Sequence, residues 1–186
     1  MWFVPHDPEG LIQLLGGRDG FLRKLDENFS LTATSGEVNG NASGFIGQYA
    51  HGNEPSHHTV YLYTLAGRPQ RTQELVNQVR SQFYNATPCG YAGNDDCGQM
   101  SAWYIFSSLG FYPFNAGAAE YVIGTPLFSR ATLHLAGGRD FTITARNLKP
   151  GRVHVKSVRL NGQPIRDWRL THRQIMEGGT LEFMMK

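Results

Sequence analysis

The sequence predicts a chain of mixed class, helical in front and β behind, with the change near residue 115. Three observations carry this. Apolar residues recur at three-to-four spacing through most of the first 109 positions. From about Glu120 the period shortens to that of strands, in short runs separated by Gly or Pro. Asn161-Gly162 then supplies a strong two-residue hairpin signal. The predicted division is a helical region over 1–115 and a C-terminal antiparallel β segment over 116–186.

Taken in order, Pro8 to Leu15 places apolar residues at helical intervals and stops at Gly16-Gly17. A second helix over Arg18 to Phe29 turns Phe21, Leu22 and Leu25 inward. Residues 30–53 hold no sustained period and are rich in Ser, Thr, Asn and Gly, which predicts a long loop of the kind that often serves function. Helical character returns after Pro55, with Ser56 as N-cap, and His57, Val60, Tyr61, Thr64 and Leu65 on one face. Pro69 opens the next helix at a first-turn position. Its apolar stripe is Leu75, Val76, Val79 and Phe83, and Arg71, Glu74, Asn77 and Arg80 form the expected solvated face. After a loop over Thr87 to Cys97, Gln99 to Leu109 reads as a buried helix built on Met100, Trp103, Ile105, Phe106 and Leu109. Strands follow at Tyr121–Ile123, Ala131–Leu135, Phe141–Thr144, Val153–Leu160 and Leu181–Phe183.

Composition sets the class of partner. Hydrophobic residues make up 40% of the 186, enough for a core, and a charged fraction of 17% argues against disorder. A net charge of +2 gives no nucleic-acid footprint and no membrane-attracted surface. No apolar run is long enough to span a bilayer. Met1 leads directly into Trp2-Phe3-Val4-Pro5, so no export signal is expected in the chain as written. Cys89 and Cys97 flank a glycine-rich loop, and two readings stand: a small disulfide loop, or two small buried thiols. P-loop, dinucleotide and nucleophile-elbow patterns are missing.

Two polar constellations carry the chemistry. The first is His51-Gly52-Asn53-Glu54-Pro55-Ser56-His57-His58. Asn53 and Glu54 offer hard oxygen ligands that backbone carbonyls can complete into a calcium shell. His57 and His58 suit hydroxyl groups or can orient a carboxylate. The plainer alternative makes Ser56 a cap, Glu54 a favourable charge near a helix start and the histidines scaffold. Zinc is disfavoured, since adjacent histidines point in different directions around a helix. The second constellation runs from Cys89 to Gln99 and includes Gly93-Asn94-Asp95-Asp96 just before an apolar helix. A carboxylate held ionised by the helix start suits a base that must stay deprotonated. The alternative is a capping loop with Asp96 as the cap. His6-Asp7 lies beside Trp2 and Phe3, and either lines a cleft or begins a helix. Glycosylation-type triplets begin at Asn28, Asn41 and Asn85, but patterns this short recur by chance.

The runs Val4-Pro5-His6-Asp7, Gly52 to His58, Gly93 to Tyr104 and Leu109-Gly110-Phe111-Tyr112-Pro113 resemble the C-terminal half of glycoside hydrolase family 92. Tyr121 to Phe128 continues the likeness in register, so it extends from the first residues to at least residue 135. The resemblance implies a calcium-dependent, inverting exo-α-mannosidase that trims N-glycans or related mannans. It implies that the helices over 1–115 are part of an (α/α)6 toroid, with β-structure behind. Carried over, Asn53 and Glu54 belong at the calcium and sugar site, and His57, His58, His6 and Asp7 on the substrate side. One of Asp95 and Asp96 is the general base, with Asp96 preferred for its place just before the helix. Inversion requires a water between base and sugar, and catalytic carboxyls roughly 6.5–9.5 Å apart.

One departure stands out. In similar proteins a Glu-Gly-Asn-Ala-Trp-Gln-Tyr stretch precedes the Trp-Phe-Val-Pro-His-Asp run and carries the expected general acid, and this chain begins after it. The resemblance therefore implies that the N-terminal part of the enzyme is the chain's missing partner and that the chain alone is inactive or nearly so. Exposed apolar patches and aggregation are expected. Family members are largely exported, which implies a periplasmic or secreted full-length enzyme. A non-catalytic carbohydrate-binding module is the alternative; a different toroid enzyme fits the Asn-Asp-Asp and Asn-Glu-Pro motifs less well.

Overall fold

A computed structural model describes residues 1–32 and 42–186. Its first part holds helices α1 (Pro8–Leu14), α2 (Gly17–Ser30), α3 (Leu62–Leu65), α4 (Pro69–Phe83) and α5 (Gln99–Leu109). A small hairpin, β1 (Phe45–Ile46) and β2 (Tyr49–Ala50), stands between α2 and two 3-10 turns at Glu54–Ser56 and Thr59–Tyr61. That hairpin occupies part of the stretch expected to be pure loop; residues 33–41 of that stretch, with Asn41 of the second glycosylation-type triplet, lie outside the described residues.

The β part begins at β3 (Phe111–Asn115), which pairs with β4 (Glu120–Ile123), and β4 pairs with β9 (Arg169–Thr171). A second sheet runs β5-β6-β10-β7-β8, from β5 (Arg130–Leu135), β6 (Arg139–Arg146), β7 (Val155–Leu160), β8 (Gln163–Ile165) and β10 (Gly179–Met185). Helix then sheet is the order foreseen. The β segment is not wholly antiparallel, however. β10 runs parallel to β6, with Leu181 opposite Ile143 and Phe183 opposite Ala145. The chain leaves the sheet through β9 and the short helix α6 (His172–Met176) and returns in the same direction between β6 and β7. Parallel neighbours need a crossover connection of this kind, which strand periodicity alone cannot reveal. At Asn161-Gly162 both residues have positive φ (49° and 81°), as a two-residue hairpin turn requires.

Two hydrophobic cores share β3 and β4 as a wall. Tyr112, Phe114 and Val122 face the helical core with Phe21, Leu25, Tyr61, Leu75 and Trp103. Phe111 and Ile123 face the sheet core with Phe141, Ile143, Leu181 and Phe183. Strand residues alternate sides, so one ribbon serves both. Helix α4 is bolted to the β part through its polar face: Val155 N donates to Gln73 Oε1 at 3.0 Å, and His154 meets Glu74 at 3.0 Å. Arg80, expected on a solvated face, is only 5% exposed and donates from Nη1 to the carbonyls of Ser107 and Thr125. Ile105 is the opposite correction: expected in the core, it is 56% exposed, because α5 buries a narrower face than its composition predicts. Phe3, Leu14 and Phe128 are also exposed. No helix among the described residues is long and apolar enough to cross a membrane.

Candidate active site

The β1–β2 hairpin and the loop before α5 meet around an open cleft of about 520 Å³, lined by Ser43, Gly52, Asn53, Glu54, Asn94 and Asp96 among others. Their contact is close. A Cβ on Gly52 would stand 2.1 Å from Ser43 Oγ and 2.9 Å from the Ala92 carbonyl, so only glycine lets the two segments touch here. Among the described residues no lysine or arginine lines the cleft.

The two aspartates of the loop have different work. Asp95 Oδ1 accepts from Ser101 N at 3.0 Å and from Ser101 Oγ at 2.9 Å, which ties it to the first turn of α5. Asp96, Cys97 and Gly98 then take positive φ (45°, 58° and 89°), a left-handed run that swings the next carboxylate away from the helix. Asp96 is therefore not the cap. The helix-capping acid is Asp95, and the left-handed Gly98 occupies the N-cap position itself. Asp96 instead lines the same cleft as Glu54, where the two carboxyls influence one another. The Glu54 carboxyl beside it holds the Asp96 carboxyl above the usual aspartate range, with burial and the charge of Asp95 adding to it, while Glu54 is held below its usual range. The direction at Asp96 is opposite to the lowering expected of a carboxylate at the helix start.

Glu54 Oε1 and Ser43 Oγ are buried without a hydrogen-bond partner among the described residues. A stranded carboxylate oxygen normally costs stability, so its presence calls for a further ligand. Oxygen donors, net negative charge and no competing cation fit a hard ion such as calcium, with Asn53, Glu54 and Ser43 as the residues placed to hold it. Among the described residues no group of three or more His, Cys, Asp or Glu gathers, so amide, hydroxyl and carbonyl oxygens would have to complete any shell.

His57 and His58 stand behind the cleft rather than in it. His57 is fully buried; its Nε2 donates to the His51 carbonyl at 2.9 Å and its Nδ1 accepts from Gln99 Nε2 at 3.1 Å. His58 Nε2 donates to the Trp2 carbonyl at 2.7 Å, with the ring edge-on to Phe3 and Phe114. The consecutive 3-10 turns rotate both rings inward, and Ser56 donates to the Ala50 and Asn53 carbonyls instead of capping a helix. Burial pushes the imidazole of His57 down to about 4 and that of His58 below its ordinary value, so both are neutral wall elements. His6 and Asp7 are exposed and away from the cleft, and Asp7 caps α1 by accepting from Gly10 N at 2.9 Å. Cys89 and Cys97 are free and exposed, which matches neither a closed disulfide nor buried thiols.

The sequence reading missed a role for His51. It is fully buried and stacked on His57, with Trp103 edge-on at 4.4 Å between centroids. Tyr84 Oη donates to the Met100 carbonyl at 3.0 Å, so it accepts from His51 Nε2 at 2.7 Å, and Tyr49 Oη donates to His51 Nδ1 at 2.8 Å. The chain of bonds links the hairpin to the start of α5, and burial drives His51 down to about 2. Ser43 was missed too, since nothing marks one serine in a polar loop.

Across residues 1–186 the chain matches the glycosyl hydrolase family 92 catalytic domain. It is 33% identical, over 99% of its length, to an uncharacterized secreted glycosidase of Arthroderma benhamiae, of which it covers 22%. It superposes over its whole length on a family 92 α-mannosidase of Bacteroides thetaiotaomicron in complex with mannoimidazole, with TM-score 0.93 and 38% identity, covering 24% of that chain. A family 92 inverting mannosidase of the same organism gives TM-score 0.84 and 40% identity, again over the whole of this chain and 27% of the other. The chain thus spans about a quarter of the length of these relatives. With the motif-bearing loops gathered around one acidic cleft, and the likeness running from first residue to last, this chain belongs to glycoside hydrolase family 92.

Proposed function

We propose that the chain supplies the water-activating side of a calcium-dependent, inverting exo-α-mannosidase acting on mannosides of N-glycans or mannans. The observation that carries this is the Glu54–Asp96 carboxyl pair, set in an oxygen-lined cleft with Glu54 Oε1 unpaired among the described residues. Asp96 is the base: it lines the cleft, whereas Asp95 is tied to Ser101. Glu54 is not its acid partner. An inverting pair stands roughly 6.5–9.5 Å apart with a water between, and two carboxyls that interact directly in one cleft do not leave that space. Glu54 serves instead to hold the cation. Calcium, when bound, supplies a hard positive charge that favours both carboxyls in their ionised forms and can hold sugar hydroxyls. Asp96 then accepts the proton of the attacking water, and His51, His57 and Trp103 keep the wall behind it rigid and uncharged.

The general acid in this reading comes from the remainder of the polypeptide that the relatives possess, and the named secreted relative favours an exported enzyme. The test is hydrolysis of an α-1,2-mannobioside by the chain and by a version extended upstream, each with calcium and with EDTA. Activity is expected only in the extended form with calcium, and Asp96→Asn should lower it by roughly 10²–10⁴-fold, the usual worth of a positioned base. Calcium-independent turnover, or turnover untouched by Asp96→Asn, refutes the assignment.

A further inference from the structure

A second cavity, of about 540 Å³, lies where α4 meets the turn between β4 and β5 and the loop between β6 and β7. It shares no lining residue with the Glu54–Asp96 cleft. Arg80, Arg130, Lys149 and Arg152 all line it, and no aspartate or glutamate does. None of these four cations forms an ion pair among the described residues, although seven such pairs exist elsewhere.

Arg80 is the anchor. It is 95% buried by its 5% exposure, its Nη1 is spent on two neutral carbonyls, and its Nε has no partner. Burial lowers its pKa only to about 10, so it remains a full positive charge at neutral pH. A buried charge without a counter-ion is costly, and a guanidinium matches the oxygens of a phosphate or carboxylate. The walls are held in place: Thr125 Oγ1 donates to the Val153 carbonyl at 2.7 Å, and Arg152 N closes a turn on Lys149 O at 3.0 Å. That turn carries Lys149 and Arg152, both exposed, and both line the same cavity as Arg80.

We propose that this cavity binds a tetrahedral oxyanion of the phosphate class, with Arg80 at its floor and Lys149, Arg152 and Arg130 around its mouth. Two sources share that chemistry: the free ion and a phosphate ester on a larger molecule. The opening has space for an attached organic group.

Calorimetric titration of the protein, as its gene encodes it, with inorganic phosphate and separately with glycerol 3-phosphate at low ionic strength tests this. Saturable binding at one site is expected. It should weaken by about tenfold or more in Lys149→Gln/Arg152→Gln, and fall as salt screens the exposed charges. Equal or tighter binding of the ester identifies an ester site, and binding of inorganic phosphate alone identifies a free-ion site. Arg80→Met should abolish binding. Because Arg80 is buried and that variant could unfold, the exposed double variant is the deciding one. No saturable binding of either probe, or affinity unchanged in the double variant, overturns the proposal. The readout needs no glycosidase activity, so it stands or falls separately from the mannosidase reading.

Discussion

Lowering the pH from 7 to 5 should weaken the fold through two imidazoles that have no room for a proton. His51 and His57 are both fully buried, and burial holds them down to about 2 and about 4 respectively. In the unfolded chain each returns to about 6.5. Between the folded and unfolded values the unfolded state binds protons that the native state refuses, so stability falls as pH falls below about 6.5. One such proton is worth about 1.4 kcal/mol per pH unit. Integrated from pH 7 to pH 5, each histidine costs about 2 kcal/mol, and the pair about 4 kcal/mol. His58, held below its ordinary value by burial, adds in the same direction. Urea unfolding at pH 7, 6 and 5 at fixed ionic strength measures this. His51→Gln keeps a donor for Tyr84 and an acceptor for Tyr49 but has nothing to titrate, so it should remove about half of the loss. A parent protein equally stable at pH 5 and 7, or a variant with the parent's full pH dependence, would show that these rings are not held neutral by the packing described.

Two further perturbations probe the architecture around the cleft. Gly52→Ala places a Cβ 2.1 Å from Ser43 Oγ and 2.9 Å from the Ala92 carbonyl, so hairpin and loop must separate; about 1–3 kcal/mol of stability should go, together with most turnover in the extended enzyme. Normal mannosidase kinetics in that variant would contradict the close contact. Trp103→Phe removes a fully buried indole whose Nε1 donates to the His57 carbonyl at 3.1 Å, and about 2–4 kcal/mol is expected from the cavity and the unpaired carbonyl, read from the denaturation midpoint. A shift below about 1 kcal/mol would mean that the carbonyl finds another donor.

Much of the local structure was legible because it depends on neighbours in sequence. The stripe Leu75, Val76, Val79 in α4 and the buried Met100, Trp103 and Leu109 of α5 follow from helical spacing. The alternation of β6 and the turn at Asn161-Gly162 follow from strand period and left-handed tolerance. Arg80 was misplaced because its partners, the carbonyls of Ser107 and Thr125, lie 27 and 45 residues away. The strand β9 and helix α6 were unforeseen, as both are too short to show a period.

The sequence by itself determined the family, the α-then-β order and the two loops that carry the chemistry, because motif identity and periodicity are properties of adjacent residues. The tertiary structure decided where each carboxylate lies. Asp95 and Asp96 are neighbours of the same type, yet a left-handed run at 96–98 sends one to Ser101 and the other to Glu54, 42 positions earlier in the chain. It also moved His57 and His58 from the cleft to the wall behind it. Direction and partner are set by backbone dihedrals and by contacts between distant segments, and neither is a property of residue type or spacing.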